Sequence, residues 1–528
     1  MKIRLFIIIA LALAVQSYAQ LPSQALLKIQ RTLDIINLFY VDSVNNDKLA
    51  EAAIEEMLKT LDPHSTYISK DEVREMNEPL EGNFEGVGIQ FNIFNDTILV
   101  VNPIAGGPSE KLGIRAGDRI IKIDTQLVAG VGIKNNDVFK KLRGKKGTVV
   151  NVSIARRGEK NLLDFSIIRD KIPIYSLDAS YMVDKEIGYI KLARFSATTI
   201  DEFNKAIADL KAKGMKDLIL DLASNGGGYL NTAVDLADEF LDDKKMIVYT
   251  QGLTSPRTEY KSTEKGEWQI GRLAVIVDES SASASEIVSG AVQDWDRGLI
   301  VGRRTFGKGL VQRPFNLTDG SMIRLTVARY YTPSGRLIQK PYDKGFKDYS
   351  EEIIKRYNNG ELTNADSIHF PDSLKYKTLI SKRTVYGGGG IMPDIFVPLD
   401  TTAYTKYYNA IMRKNIIYPL ILQYLDRERN NLKDKYKVFE DFKTSFIVGQ
   451  SILDTIAAKA KREKIEFTEE EKNKSADDIK IYIKAMLARD LWDNSQYFEI
   501  INPTRPEYIK TIEALRDKKL YNKKLGKL

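Results

Sequence analysis

A cluster of serines beside a glutamate has the residue types that nucleophilic chemistry needs. Residues 280–290 read SSASASEIVSG and follow the strand-like run RLAVIVD, which ends at Asp278. Apolar spacing from Ile287 onward predicts a helix, so the serines lie on a strand-to-helix turn, where a hydroxyl stands beside free backbone N–H groups. A nucleophilic serine fits this turn. The spacing Ser283-x-x-Glu286 also fits a capping box, and the turn by itself favours the cap.

A lysine between two glycines is the base that such a serine would need. Residues 302–312 read GRRTFGKGLVQ, close to the phosphate-binding pattern G-x-x-x-x-G-K-[ST]. That pattern fails at Gly309, and β-like sequence follows instead of a helix. Flanking glycines let the backbone aim Lys308 at a fixed point, and burial lowers the pKa of a lysine towards neutrality. A neutral amine can take the proton of a serine; the alternative is an ordinary surface lysine.

Three consecutive glycines follow a buried strand in the stretch LILDLASNGGGYL, residues 218–230. Backbone N–H groups at such a turn can point at a developing oxyanion. The alternatives are a tight turn between strand and helix, or a dinucleotide-binding loop. The dinucleotide spacing G-x-G-x-x-G is absent, so that alternative is discounted. Together the three turns predict a serine, a base and an oxyanion site on one α/β core.

The overall composition excludes several other chemistries. The chain has 528 residues, which is too long for one hydrophobic core, and no cysteine, which excludes disulfides and thiolate sites. Two histidines, His64 and His369, leave little room for a histidine metal site, so we predict no metal and no cofactor. The net charge of +8 is spread along the chain except at the terminal KKLYNKKLGKL, so nucleic-acid binding is not predicted.

The first 19 residues have the pattern of a secretory signal peptide. MKIR is basic, LFIIIALALAV is an apolar run of eleven, and SYA precedes Gln20 as a small-residue cleavage site. The alternative, an uncleaved membrane anchor, fits less well because a span needs about 20 apolar residues. We therefore predict an exported protein of the periplasm or cell envelope.

Four regions follow the predicted signal peptide. Residues 20–82 have helical periodicity, and residues 83–170 change to short strands and glycine turns. Strands and helices alternate over residues 171–400, which predicts an α/β layer core interrupted by a polar insertion at 344–385. Residues 401–528 are charged and helical. The predicted fold class is multidomain α/β.

Five motifs together resemble the C-terminal processing peptidases, also called tail-specific proteases. In chain order they are LDPHSTY, LILDLASNGGG, SASASEI, TFGKGLVQ and YYTPSGRLIQ. Their order and spacing match from about residue 30 to 400. The resemblance implies a serine/lysine protease core related to the crotonase and Clp-protease folds. It also implies a β-rich PDZ domain inserted ahead of that core, with helical regions at both ends.

The resemblance assigns roles to single residues. Ser283 is the expected nucleophile, Lys308 the expected general base, and Gln312 is expected to hold the lysine in place. The oxyanion site would combine the Ala284 N–H with Gly227 or Gly228. A family acid matches Asp294, for which a structural role is expected.

One loop departs from the family pattern. The family often has Arg-x-Asn-Pro-Gly-Gly after the buried strand, whereas this chain has Ala223-Ser-Asn-Gly-Gly-Gly. The missing arginine and proline put the rigidity of the loop in doubt more than activity.

The β-rich region carries the pattern of a peptide-binding domain. The residues Gly86, Val87, Gly88 and Ile89 resemble the carboxylate-binding loop of PDZ domains, and GIRAGDRIIKID at 113–124 matches the second half of that domain. In this mode a substrate tail adds as a strand to the sheet edge while the loop N–H groups bind its carboxylate.

The expected function is therefore an exported, ATP-independent serine endopeptidase that binds and cuts near protein C-termini. The alternative is a catalytically silent PDZ scaffold. His64, in a helix-ending turn, is expected to be structural, and His369 incidental. The expected partners are proteins or peptides with free C-termini. An activating adaptor, peripheral membrane association and self-association stay open.

Overall fold

The structure is a computed structural model that describes residues 23–401 and 404–527. The predicted signal peptide, residues 1–19, lies outside the described residues. No helix in the described part combines the length and apolar character that a membrane span requires.

The N-terminal region is mostly helical and includes one strand that joins the α/β core. Its elements are α1 (Gln24–Phe39), α2 (Asn46–Lys59), β1 (Thr66–Ile68) and α3 (Lys70–Glu81). Helix α1 buries none of its side chains. Strand β1 pairs antiparallel with the strand Met322–Tyr331, with Thr66 opposite Arg324. This pairing holds the LDPHSTY segment against a strand of the core that lies far from it in the sequence.

The β-rich region forms an antiparallel sheet with its own core. Its elements are β2 (Asn83–Gly86), β3 (Ile89–Ile93), β4 (Ile98–Pro103), α4 (Pro108–Lys111), β5 (Arg119–Ile123), β6 (Gln126–Leu127), α5 (Asn135–Leu142), β7 (Val149–Ala155), β8 (Leu163–Ile168) and β9 (Asp170–Pro173). The sheet order is β3-β4-β5-β7-β8, so β3 is an edge strand. Strands β2 and β9 pair with each other where the chain enters and leaves this region.

The α/β core follows, together with its insertion. Its elements are β10 (Leu177–Met182), β11 (Ile187–Leu192), α6 (Thr199–Ala212), β12 (Asp217–Asp221), α7 (Leu230–Asp238), β13 (Met246–Gln251), β14 (Thr258–Lys261), β15 (Leu273–Val277), α8 (Ala284–Asp294), β16 (Leu299–Gly302), β17 (Leu310–Asn316), β18 (Met322–Tyr331), α9 (Gly345–Ser350), α10 (Glu352–Asn358), β19 (Lys375–Lys377), β20 (Thr384–Tyr386) and β21 (Ile395–Phe396).

A six-stranded sheet of order β10-β11-β12-β15-β16-β21 is the centre of this core. All its pairs are parallel except β10 with β11. Strands β12 and β15 are buried along their whole length, as expected for continuous apolar runs in a parallel sheet covered on both faces. Helices α6, α7 and α8 pack on one face. A second sheet, β1-β18-β13-β14 with β17 beside β18, adjoins it.

The insertion braces the segment that carries Lys308. Arg356 of α10 is buried and donates through Nη1 to the Thr305 carbonyl at 2.8 Å and through Nη2 to that of Phe306 at 3.2 Å. Residues 344–385, which the sequence marks only as an interruption, therefore position a loop of the core.

The C-terminal helices pack in two different places. They are α11 (Lys406–Arg413), α12 (Ile417–Lys435), α13 (Phe439–Ser445), α14 (Gln450–Arg462), α15 (Glu469–Lys474), α16 (Ala476–Leu491), α17 (Asn494–Ile501), α18 (Pro506–Arg516) and α19 (Lys518–Lys524). Helices α11 to α16 enclose a separate hydrophobic core. Helices α18 and α19 cover the second face of the central sheet, where the Tyr521 hydroxyl donates to the Leu273 carbonyl at 3.0 Å.

The β-rich region packs on the separate helical core. Leu99 and Val101 of β4 contact Leu422 of α12, and Arg119 forms a 3.0 Å ion pair with Asp426. The predicted multidomain α/β fold class, with an inserted β-rich domain and helical ends, is confirmed.

Candidate active site

Ser283 lies at the start of α8 in a backbone conformation that few residues adopt. Its φ is 55° and its ψ is −111°. A positive φ at a residue other than glycine costs conformational energy and persists only where the surroundings impose it. The Asp278 carboxylate helps to impose it, because Oδ1 accepts the N–H groups of Ser280 and Ser281, both at 3.0 Å. Ser283 and Glu286 form the predicted capping box, and Ser283 is half-buried.

The Glu286 carboxylate joins the serine turn to the lysine loop. Its Oε2 accepts the N–H of Ser283 at 2.8 Å and that of Lys308 at 2.9 Å. Its Oε1 accepts the Thr305 hydroxyl at 2.6 Å and the Gly307 N–H at 2.7 Å. The capping glutamate is therefore also the link that holds the two predicted catalytic residues side by side.

Tyr330 makes a second link between the same two residues. Its buried hydroxyl lies 3.1 Å from the Ser283 carbonyl and also hydrogen-bonds the Lys308 carbonyl. Burial, followed by the negative charge of Glu286, raises the pKa of Tyr330 well above its usual value. The phenol therefore stays protonated and serves as a donor.

Lys308 is half-buried and has a lowered pKa. Burial is the main cause and the positive charge of Arg324 adds to it, while the charges of Glu286 and Asp62 oppose them. Together these effects lower the pKa of Lys308 to about 8. No ion pair holds the amine among the described residues. A lysine with this pKa is partly neutral near physiological pH, which suits a general base.

Gln312 lies on β17, in the strand that follows the lysine loop. Its amide nitrogen donates to Thr326 Oγ1 at 3.3 Å, and that hydroxyl donates to Asp62 Oδ1 at 3.1 Å. Gln312 is thus tied to the LDPHSTY segment. Among the residues that the structure describes, no hydrogen bond joins it to Lys308.

His64 lies closer to the site than its sequence position indicates. Its Nε2 is 2.7 Å from the Tyr349 hydroxyl of the insertion, and its backbone N–H donates to Asp62 at 2.8 Å. Burial, with the positive charge of Lys308 as the next cause, lowers the pKa of His64 to about 4. The ring is therefore neutral at neutral pH. His369, the other histidine, is in the insertion, between its two 3₁₀ turns at 365–367 and 372–374.

The glycine loop lies directly against the serine. Gly227 has a φ of 102°, and a Cβ placed there would lie 2.9 Å from Ser283 Cβ and 3.0 Å from Ala284 N. Its own N–H donates to Asn225 Oδ1 at 2.9 Å. The N–H groups of Ala284 and Gly228 have no acceptor within the described ranges. Gly227 thus permits the close approach, while Ala284 and Gly228 have donors free for an oxyanion.

Asp278 also ties this loop to the serine turn. Its Oδ1 accepts the Ser224 N–H at 2.9 Å, and the Asn225 carbonyl accepts the Ala282 N–H at 3.0 Å. The structure therefore brings together all three turns that carry the predicted catalytic and oxyanion residues. Within the described part of the chain, no cluster of acidic and histidine side chains is arranged to hold a metal ion.

The predicted carboxylate-binding loop precedes the edge strand β3. Gly88 has a φ of 74°, and the Val87 carbonyl accepts the Ser109 hydroxyl at 2.6 Å. Phe91 of β3 contacts Phe139 of α5 edge to face, so the free strand edge and this helix are neighbours. A peptide strand added to the free edge of β3 would have its C-terminus at this loop.

Four family models match parts of the chain. Peptidase family S41 matches residues 186–347, and the PDZ domain matches residues 86–167. The activating protease CtpB N-terminal domain matches residues 12–72, and a family of unknown function, DUF8443, matches residues 407–493.

Named relatives extend this similarity over most of the chain. The chain is 35% identical over 343 residues to the carboxy-terminal processing protease CtpA of Bacillus subtilis (strain 168), covering 65% of this chain and 72% of that protein. It is 38% identical over 305 residues to a carboxy-terminal-processing protease of Bartonella bacilliformis (strain ATCC 35685 / KC583 / Herrer 020/F12,63), covering 57% and 69%.

A solved structure, the photosystem II D1 C-terminal processing protease, shares 30% identity over 59% of this chain and 83% of its own, with a TM-score of 0.34. The fold and the sequence relatives define a serine peptidase with a PDZ domain. The chain belongs to the C-terminal processing peptidase family, as its motifs predict.

Sequence reasoning missed two residues of the site. Glu286 was visible as the end of a capping box, but a local pattern does not show that the same carboxylate binds the lysine loop. Tyr330 belongs to the YYTPSGRLIQ motif without a role that the sequence could assign. Its hydroxyl donates to the carbonyls of Ser283 and Lys308 only because folding brings β18 next to both turns.

We predict that Glu286→Gln lowers kcat on the order of 10²-fold, because an amide nitrogen would face N–H donors and release the lysine loop. Circular dichroism checks the fold, and steady-state hydrolysis of an unstructured peptide measures kcat. Glu264→Gln, at an exposed position, is the matched control. Unchanged kcat in a folded Glu286→Gln protein would contradict the positioning role.

Proposed function

We propose that this chain is an exported serine endopeptidase that cuts near the C-termini of protein substrates with a Ser283–Lys308 dyad. The observation that carries the proposal is the shared Glu286 oxygen, which binds the backbone N–H of both residues at 2.8 and 2.9 Å. The lowered pKa of Lys308, about 8, supports its role as the base.

In the proposed reaction the neutral Lys308 amine takes the Ser283 hydroxyl proton while Oγ attacks the substrate carbonyl. The negative charge that develops on the carbonyl oxygen is stabilised by the N–H groups of Ala284 and Gly228. The lysine then gives its proton to the leaving amine. A water molecule hydrolyses the acyl-enzyme by the same route in reverse, with the lysine again as base.

The PDZ domain is proposed to select the substrate. Gly86, Val87, Gly88 and Ile89 would bind the terminal carboxylate, and the tail would pair with the free edge of β3. The Vibrio cholerae carboxy-terminal protease has a PDZ domain whose structure was solved in complex with a peptide. Proteins with free, unstructured C-termini are therefore the proposed substrates.

Export and activation belong to the same proposal. Residues 1–19 would direct the chain to the periplasm or cell envelope, where an absence of disulfides means that stability depends on the packed cores. The match of residues 12–72 to the N-terminal domain of an activating protease supports an activating protein partner. Self-association and peripheral contact with a membrane are further parts of the proposal.

Ser283→Ala should reduce the kcat for cleavage of an unstructured free-acid peptide by on the order of 10⁴-fold or more, because it removes the nucleophile. Mass spectrometry of the products measures cleavage. The matched control is Ser280→Ala, an exposed serine of the same turn. Equal cleavage by Ser283→Ala and wild type excludes Ser283. Peptide binding without cleavage by either protein supports the alternative, a silent PDZ scaffold.

The pH dependence should identify the base. Because the neutral amine is the active form, kcat/KM should rise with pH through a midpoint near 8 and level off above it. Lys308→Ala should abolish this activity, whereas His64→Gln should leave the midpoint in place, since a group with a pKa of about 4 does not titrate there. A midpoint near 6.5 that disappears in His64→Gln would assign the base to histidine instead.

Amidation of the substrate C-terminus should weaken peptide binding by about tenfold or more, because a neutral amide loses charge-assisted hydrogen bonds to the loop. Isothermal titration with Ser283→Ala compares the Kd of the free-acid and amidated forms of one peptide. Equal Kd values would show that the carboxylate is not recognised.

A further inference from the structure

A buried carboxylate stands at the end of β12, just before the glycine loop. Asp221 is fully buried, and its Oδ2 accepts the Tyr189 hydroxyl at 2.6 Å. Its Oδ1 accepts the Ala223 N–H at 2.9 Å and lies 3.4 Å from Lys191 Nζ. The same lysine donates to the Ala223 carbonyl at 2.9 Å. Asp221 and Lys191 therefore bind both backbone polar groups of Ala223.

The second cation of this cluster comes from the C-terminal end of the chain. Arg505, immediately before α18, donates through Nη1 to Asp221 Oδ2 at 2.7 Å. Asn502 Oδ1 accepts from the same nitrogen at 2.9 Å, and Glu507 Oε1 accepts from Nη2 at 3.0 Å. The guanidinium is thus held on both sides. It lies outside residues 186–347, which match the peptidase family.

These contacts keep Asp221 ionised. Burial acts to raise the pKa of Asp221, but the positive charges of Arg505 and then Lys191 outweigh it and hold the pKa well below its usual range. A buried carboxylate that loses a cation partner is left with an uncompensated charge and tends to become protonated. A protonated Asp221 would be a weaker acceptor for the Ala223 N–H.

The position of Ala223 is where the family pattern departs in this chain. The family often has arginine at this position, two residues after Asp221, the last residue of β12. Here position 223 is a buried alanine, and the Asp221 carboxylate is paired instead with Arg505 of the C-terminal region. One cation beside Asp221 is thus supplied from a different part of the chain.

We infer that Arg505 is a positioning residue of the active site, which holds the 223–228 loop against Ser283 through Asp221 in place of the arginine missing at position 223. The inference rests on the proposed function, because the loop acts as the oxyanion site. The C-terminal region then has a part in catalysis, because the geometry of the 223–228 loop depends on Arg505. This residue comes after the helical residues 407–493 in the sequence.

The test compares Arg505→Ala with the double variant Arg505→Ala/Ala223→Arg in the full chain. The single variant should lower kcat for peptide cleavage about 10²-fold with little change in KM, because loose oxyanion donors weaken only transition-state binding. The double variant should recover kcat to within about fivefold of wild type, because it returns a guanidinium to Asp221. If Arg505 contributed only to stability, the added Ala223→Arg change would not restore kcat.

Arg516→Ala is the matched control, because Arg516 is on the next helix and pairs with Asp184 at the surface, at 2.7 Å. It should leave kcat unchanged. The number of active sites in each variant is counted by complete labelling with a fluorophosphonate, so that kcat refers to folded, reactive protein. Unchanged kcat in Arg505→Ala, or a folded double variant that stays slow, overturns the inference.

Two further outcomes are distinguished. If Arg505→Ala does not fold, the double variant decides: a folded protein with restored kcat supports the inference, and a slow or unfolded one overturns it. If Ser283→Ala keeps wild-type cleavage, the proposed function and this inference fall together. Loss of cleavage in Ser283→Ala with normal cleavage in Arg505→Ala overturns the inference alone.

Discussion

The buried Glu286 carboxylate is the interaction on which the site depends. It receives donors from Ser283, Thr305, Gly307 and Lys308, which belong to two separate turns. Burial raises the pKa of Glu286, and its four donors oppose that rise. Backbone N–H groups that would otherwise be unsatisfied in the interior are paired by this one side chain. The serine turn and the lysine loop are therefore held together by one buried carboxylate, with the Tyr330 hydroxyl as a second link.

The order of the central sheet explains why these turns meet at all. Strands β12, β15 and β16 are adjacent and parallel, and the glycine loop, the serine turn and the lysine loop follow their carboxyl ends. In parallel sheets such ends share one edge, where ligand sites form. The same three loops are then joined by Asp278, Glu286 and Tyr330. Catalytic geometry in this chain is thus a consequence of sheet topology completed by three hydrogen-bonding side chains.

Regions outside the peptidase match also contribute to the site. Arg356 of the insertion binds the lysine loop, Asp62 and His64 of the N-terminal region lie near Lys308, and Arg505 reaches Asp221 from the C-terminal side. The PDZ domain rests on α12 through Arg119 and Asp426. The insertion, the N-terminal region and the C-terminal region therefore each place a charge or a hydrogen bond close to the core, whereas the PDZ domain rests on the C-terminal helices.

The sequence by itself determined the fold class, the family and the turns that carry the chemistry. Apolar runs such as RLAVIVD, and the glycine and serine motifs after them, are local signals that a buried strand or a turn must contain. Only the tertiary structure decided that Glu286 binds the lysine loop, that His64 lies in the field of Lys308, and that Arg505 pairs with Asp221. These contacts join residues far apart in the chain, and no local periodicity encodes which distant side chain will fill a given buried site.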